Sequence, residues 1–284
     1  MPDKEESMTK SQKRIHSLAI ISVLIFLIIA LFPIYWMLNT SFKTQYEVYS
    51  RIPTMFPKNF SLDGYRYLYI RTPFLKSLFN SFTVAFTTAI VSLLIGYPAA
   101  YAIARIRFTG KSIMAKAVLF TYLIPTSVLY IPLFIFVSKI GLTDTLLGLM
   151  VIYPTFTLPY TIWMLIPHVG AVPKSIEEAS VVDGCSRIQT MFRIVFPLAK
   201  PGIISTCIFA FSMCWGEYLY ALVNISSSQY KTFTLVVSGL VFGDIYPWAQ
   251  IMAGAVTACL PILILYMFTA KFLVGGVTAG GVKQ

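Results

Sequence analysis

Long runs without charge alternate along this chain with short clusters of charged and polar residues. Between Arg14 and Lys43 lie 28 uncharged residues, between Lys76 and Arg105 another 28, and between Lys116 and Lys139 a further 22. Asp144 and Lys174 enclose 29, and Asp244 and Lys271 enclose 26. One more run, Pro201 to Val223, is interrupted only by Glu217. A helix needs roughly 20 mainly apolar residues to cross a bilayer. The pattern therefore predicts six transmembrane helices, over about 18–38, 79–103, 114–137, 146–166, 202–223 and 250–273. The expected fold is an all-α membrane protein with an N-terminal arm over 1–17, a six-span domain over 18–273 and a tail over 274–284.

Composition agrees with this class. Of 284 residues, 57% are hydrophobic and only 12% are charged, where a soluble domain carries about 25%. The net charge of +11 could suggest nucleic acid. The basic residues, however, lie in short clusters between apolar runs, where membrane topology and lipid headgroups explain them better. Six spans put both termini on one side. With both in the cytoplasm, Lys and Arg number four in the arm, four over 105–116, four over 167–200 and two in the tail. Outside there are six, one and one. The balance favours this orientation, although the six in loop 43–76 run against it. The basic start at Lys10, Lys13 and Arg14 looks like a signal peptide, but the apolar run continues past a signal's length and is expected to remain as a helix. Cys185, Cys207, Cys214 and Cys259 form no C-x-x-C pair and have no nearby histidine, so they read as small buried hydrophobes, with no metal site expected.

Prolines mark local departures. Pro53, Pro57 and Pro73 rule out one continuous helix over loop 43–76. Pro125 and Pro132 fall in the third span and Pro154 and Pro159 in the fourth, as kinks or packing adjustments. Glu217 is the only acid inside a span. A charge at the bilayer centre costs at least about 2.5–3.5 kcal/mol, so Glu217 is expected to face a water-filled cavity or to pair with a neighbouring span.

Three of the eleven acids concentrate at Glu177, Glu178 and Asp183, in the loop between spans four and five. Ser175 with Glu178 fits a capping box, which would start a helix at Ile176 and run it to about Asp183. Gly184 suits the left-handed position that ends a helix. Ser186 with Gln189 fits a second box, and Ile188, Met191, Phe192 and Val195 form an apolar stripe at helical spacing. Pro197 and Pro201 are expected to end this second helix before span five. The loop thus reads as two short amphipathic helices around a glycine turn. They must pack on lipid, on their own bundle or on another protein.

The same loop resembles the EAA motif of membrane subunits of ABC importers: E-A-A, three residues, G, nine residues, I-x-L-P. This chain has Glu178-Ala179-Ser180, then Gly184, then Ile194-Val195-Phe196-Pro197, with Ser180 and Phe196 as departures. Asn80-Ser81, Ala99-Ala100-Tyr101-Ala102, Arg105, Phe108-x-Gly110-Lys111, Trp215-x-Glu217 and Gly280-Gly281-Val282-Lys283 resemble the sugar-type, maltose-importer branch of that family. The resemblance implies that Glu177, Glu178, Ala179, Ser180, Asp183, Gly184, Ile194 and Pro197 belong to a coupling helix that docks on a cytoplasmic ATPase. It implies a translocation pathway near Glu217, and among the aromatic residues, which could stack on sugar rings, Tyr218 and Tyr220 are the candidates beside it. It places Ser226, Ser227, Ser228 and Gln229 at an extracytoplasmic solute-binding protein, although a solvated connector is the simpler reading of loop 224–248. The tail, which lacks span-like character, would reach the ATPase interface. Implied partners are a second homologous permease, two ATPases carrying ATP and Mg, the binding protein and the lipid of the cytoplasmic (inner) membrane.

The chain is expected to carry no cofactor and not to be an enzyme. Phe108-Thr109-Gly110-Lys111-Ser112 ends like a phosphate-binding loop, but its first glycine would fall at Arg105 and no strand precedes it. A self-sufficient secondary transporter would show internal repeats and midplane ionisable groups, and a membrane enzyme would show converging acids, histidines or nucleophiles. Neither pattern is found. A glycerol phosphate or polyol derivative remains open as substrate.

Overall fold

The structure is a computed structural model described over residues 10–281, with side chains over 16–269. Among these residues it is helical, with two isolated β-bridges. Helices α1 (Lys10–Ser41), α4 (Phe74–Arg105), α10 (Arg187–Trp215) and α13 (Trp248–Gly281) are each long and apolar enough to cross a membrane. Two further candidates are bent pairs. α5 (Lys111–Leu123) and α6 (Thr126–Lys139) meet at 86°, and α7 (Leu146–Ile152) and α8 (Pro154–Gly170) meet at 41°. The count is therefore four spans, or up to six if each bent pair crosses once.

The two bends differ because two prolines act differently on the residue before them. Ile124, ahead of Pro125, takes extended backbone (ψ 125°), and Pro125 follows it (ψ 122°). The helix stops and the chain turns. Tyr153, ahead of Pro154, stays right-handed helical (φ −60°, ψ −30°), against the usual bias of a pre-proline residue, so the pair only kinks.

The chain forms two compact units, one of residues up to Arg71 with Leu240–Thr257, the other of Thr72–Gly239 with Ala258 onward. In the first, the proline-rich segment after α1 is folded, with short helices α2 (Gln45–Val48) and α3 (Asp63–Arg71). Glu47 organises it: its carboxylate accepts from the Thr54 hydroxyl (2.6 Å) and from the Lys58 and Asn59 amides (2.9 and 3.3 Å). Lys43 Nζ donates to the Thr54 carbonyl and lies 4.9 Å from the centre of the Trp36 ring. Gly64 of α3 meets the Ala249 backbone so closely that a Cβ would come within 2.7 Å of its carbonyl oxygen.

In the second unit α4, α8 and α10 pack together. Lipid tails are as apolar as leucine, so close packing rather than escape from water holds such helices together. Small residues make it possible. Ala85, Ala89 and Ala100 of α4 are buried, and a Cβ on Gly96 would come within 2.8 Å of Thr161 on α8. The Ser92 and Thr157 hydroxyls join the two helices at 2.7 Å. The core has two clusters. One gathers around Leu149, Tyr153, Phe211 and Trp215, and the other around Tyr97, Leu165, Val169 and Val195.

Several boundaries differ from expectation. α1 already includes Lys10, the first described residue, ahead of the expected start at 18, since Lys and Arg are good helix formers that extend a helix past its apolar part. α10, over the expected fifth span, ends at Trp215 instead of 223, and the short helices α11 (Leu219–Asn224) and α12 (Phe233–Ser238) follow after a break. α13 continues to Gly281, past the expected end of the sixth span at 273 and into the tail. Residues 1–9 of the arm and 282–284 of the tail lie outside the described residues.

Candidate functional site

The loop between α8 and α10 is a helical hairpin. Its first helix, α9, covers Lys174–Val182, with Pro173 as N-cap in extended backbone. The capping box expected at Ser175 is not formed. Pro173 fixes the start two residues earlier, which leaves Ser175 inside the first turn. The helix ends at Asp183 with Gly184 beyond it at φ +86°. The Gly184 N–H donates to the Val181 carbonyl and the Cys185 N–H to the Ser180 carbonyl, each at 3.0 Å, the paired bonds of a Schellman ending. The second box is present. Ser186 Oγ accepts the Gln189 N–H (3.3 Å), and the Gln189 side chain accepts the Ser186 N–H (2.8 Å).

The following helix does not end at Pro197 or Pro201. Thr190–Val195 winds as a π-helix and leads without a break into the rest of α10. A proline lacks the N–H that would bond back one turn, and its ring crowds the carbonyl there. The wider i→i+5 winding just ahead of Pro197 is the kind of local adjustment that accommodates both. The expected apolar stripe is split between core and surface. Met191 and Val195 are buried, whereas Ile188 and Phe192 remain exposed.

The two neighbouring glutamates, about 100° apart around the helix, meet different surroundings. Glu178 is exposed. Glu177 turns inward and pairs with Arg105 Nε at 2.7 Å, with the two side chains only 13% and 6% exposed. Glu177 also accepts the Tyr101 hydroxyl (3.1 Å). Arg105, the last residue of α4, donates through Nη2 to the Val169 carbonyl (2.7 Å) and the Val172 carbonyl at the end of α8. Ser180, where the motif has alanine, is buried, and its hydroxyl lies 2.9 Å from that of Thr190. Tyr97 donates to the Met191 carbonyl at 2.7 Å. The hairpin is thus tied to the bundle on one side. On the other it exposes Ile176, Val181 and Val182 together with Glu178, Ala179 and Asp183. Ile194 is half-buried and Pro197 exposed. Arg105 and Tyr101 were not among the expected site residues. The signal for Arg105 was its position at the close of a 28-residue uncharged run.

Glu217 lies in the break after Trp215 rather than inside a helix. Its carboxylate accepts the N–H groups of Tyr220 (2.7 Å) and Ala221 (3.1 Å) at the start of α11 and the hydroxyl of Tyr153 (2.8 Å). It therefore caps a helix and pairs with a neighbouring one. Tyr220 is 1% exposed, and its hydroxyl donates to the Thr126 carbonyl. Its ring packs inside the chain's own core, which leaves the half-buried Tyr218 as the accessible tyrosine of the pair.

The loop carrying Ser226–Gln229 is anchored, unlike a solvated connector. Asp144, the one non-glycine residue at positive φ (57°) among those described, accepts both the Ser226 and Ser227 N–H groups (2.9 and 2.8 Å) and the Ser227 hydroxyl. The Ser227 hydroxyl and amide hold its carboxyl below the usual aspartate value. Asn80 donates to the carbonyls of Gln229 and Lys231 at 2.9 and 3.0 Å. Ser226, Ser228 and Gln229 are exposed. Among the described residues no group of three or more His, Cys, Asp or Glu could hold a metal ion. Gly110 has φ +88° and opens α5, but no strand leads into it.

Residues 92–279 match the family described as binding-protein-dependent transport system inner membrane component. The chain is 35% identical over 261 residues, 91% of its length and 93% of the relative's, to an inner membrane ABC transporter permease protein of Escherichia coli K12. It is 33% identical to a trehalose/maltose transport system permease protein of Thermococcus litoralis, over 94% of this chain and 96% of that one. A diacetylchitobiose uptake system permease protein of Streptomyces coelicolor is also 33% identical, over 89% and 91%. In fold the chain resembles a subunit of a bacterial ABC transporter that imports the acidic polysaccharide alginate, with a TM-score of 0.76 at 19% identity over 95% of this chain and 99% of that one. This chain, with its capped hairpin between two apolar helices, belongs to the inner membrane permease components of binding-protein-dependent ABC importers.

Proposed function

We propose that the chain is one permease of a carbohydrate importer and that the hairpin over 174–200 is its docking element for a separate ATPase. Each bent pair counts as one crossing, giving six spans with both termini in the cytoplasm, so the hairpin faces the ATPase. Trehalose, maltose and diacetylchitobiose in the names of relatives support a sugar substrate. The assembly would comprise this chain, a second related permease, two ATPases that bind ATP and Mg, and an extracytoplasmic binding protein. The anchored, exposed Ser226–Gln229 segment is suited to touch that binding protein, and Tyr218 with Glu217 to border the pathway.

The observation that carries the docking assignment is the two-sidedness of the hairpin. One side is fixed to α4, α8 and the core. The other presents Ile176, Val181 and Val182 to solvent beside the exposed Glu178. An apolar patch with one carboxylate at its edge matches an apolar groove bearing a basic residue, where a charge-assisted hydrogen bond fixes register. When ATP closes the ATPase pair, the hairpin is carried as a rigid body and the cavity exchanges sides. The drive is the difference in affinity for the two states. Co-purification tests the assignment. Glu178→Lys is expected to lose the ATPase from the purified complex, and recovery at wild-type yield would contradict it.

A further inference from the structure

We propose that Glu177, Arg105 and Tyr101 form the rigid joint that transmits motion of the docking helix to α4 and α8. The proposal rests on the reading of α9 as the ATPase-docking element and adds positioning residues to it. Three helix ends converge on Arg105. It closes α4, holds the carbonyls of Val169 and Val172 at the end of α8, and faces Glu177 on α9. The cationic side chain suits a helix C-terminus, where free carbonyls carry negative partial charge. Arg105 Nε and Glu177 Oε1 are both buried, and neither has an aligned hydrogen-bond partner. At 2.7 Å they have each other.

That last point makes the contact a joint rather than a loose staple. If α9 moved away from α4, two opposite charges would be left buried and unpaired, a state far costlier than an exposed pair coming apart. Motion of α9 therefore draws the end of α4 with it, and through the Val169 and Val172 carbonyls the end of α8. The Tyr101 hydroxyl, from one turn earlier on α4, fixes the second carboxylate oxygen of Glu177 and so the angle of approach. Ser180 and Thr190 join α9 to the start of α10 independently. Docking and transmission thus use different residues. Glu178 faces the partner and Glu177 faces the bundle.

The test uses the complete complex in proteoliposomes, reading three quantities: ATPase co-purification, ATP hydrolysis, and solute molecules transported per ATP. Glu177→Gln keeps size and shape. It is expected to leave co-purification at wild-type yield while lowering transport per ATP by about twofold to thirtyfold. Tyr101→Phe should lie between it and wild type. Arg105→Gln combined with Glu177→Gln should be no worse than the poorer single variant, because the two act as a pair. Unchanged transport per ATP in a folded, ATPase-bound Glu177→Gln complex would overturn the proposal. Loss of the ATPase from that variant would also overturn it, by placing Glu177 on the docking surface. Failure of the wild-type chain to bind any ATPase would instead sink the underlying reading.

Discussion

Gly184 isolates the conformational demand of the hairpin from everything around it. It sits at φ +86°, and a Cβ built on it would meet no heavy atom within 4 Å. A substitution there clashes with no neighbour, so its cost is the backbone's alone. Holding an L-residue in left-handed helical backbone costs about 1–2 kcal/mol, and asparagine bears it better than most. Valine bears it worst, because its branched Cβ crowds the adjoining peptide groups. Against this strain stand the two bonds of the turn, Gly184 to Val181 and Cys185 to Ser180, each contributing about 0.5–1.5 kcal/mol net. The terms are comparable, so Gly184→Val should leave the closed turn a minority conformation. Affinity for the ATPase then falls by the fraction closed, about fivefold or more for a shift of 1 kcal/mol or above. Gly184→Asn should remain within about twofold of wild type. Titration of the ATPase onto the permease in nanodiscs reads both values. Wild-type affinity in Gly184→Val, or equal damage by Gly184→Asn, would refute the argument that positive φ sets the hairpin.

Gly202 of α10 packs on the ring of His168, where an added Cβ would overlap the imidazole. Gly202→Ala should therefore lower the thermal stability of the purified permease by about 1–3 kcal/mol, and His168→Ala in the same chain should recover most of it. Protection of the Ser226 and Ser227 amides in hydrogen exchange should fall in Asp144→Asn. Because the folded carboxyl titrates below the usual value of 3.8, anchoring is complete above that value and is lost as pH falls through the lower one. The protection advantage of wild type over Asp144→Asn should therefore vanish only in that acid range.

The four long apolar helices were legible in one dimension, because a long uncharged run is what a membrane-crossing helix requires. The glycine turn and the box at Ser186–Gln189 were also legible, since both are made by residues a few positions apart. What escaped depended on partners distant in sequence. Nothing local distinguishes Glu177 from Glu178. Their opposite roles follow from Arg105 and Tyr101, more than 70 residues earlier. The prolines behaved according to their surroundings. Pro125 breaks a helix, Pro154 bends one, and Pro197 is absorbed by a π-turn. The serine loop looked like a free connector because its anchor, Asp144, lies about 80 residues away. Glu217 was expected either to face a water-filled cavity or to pair with a neighbouring span, and its role as the cap of α11 required knowing that α10 stops at Trp215.

The central claim is that the outward side of α9 touches an ATPase. A photoreactive amino acid placed at Val182, 88% exposed, tests it in native membranes. An adduct with the mass of this chain plus the ATPase is the predicted result. Adducts with lipid alone would mean that the hairpin lies on the membrane surface and would contradict the account.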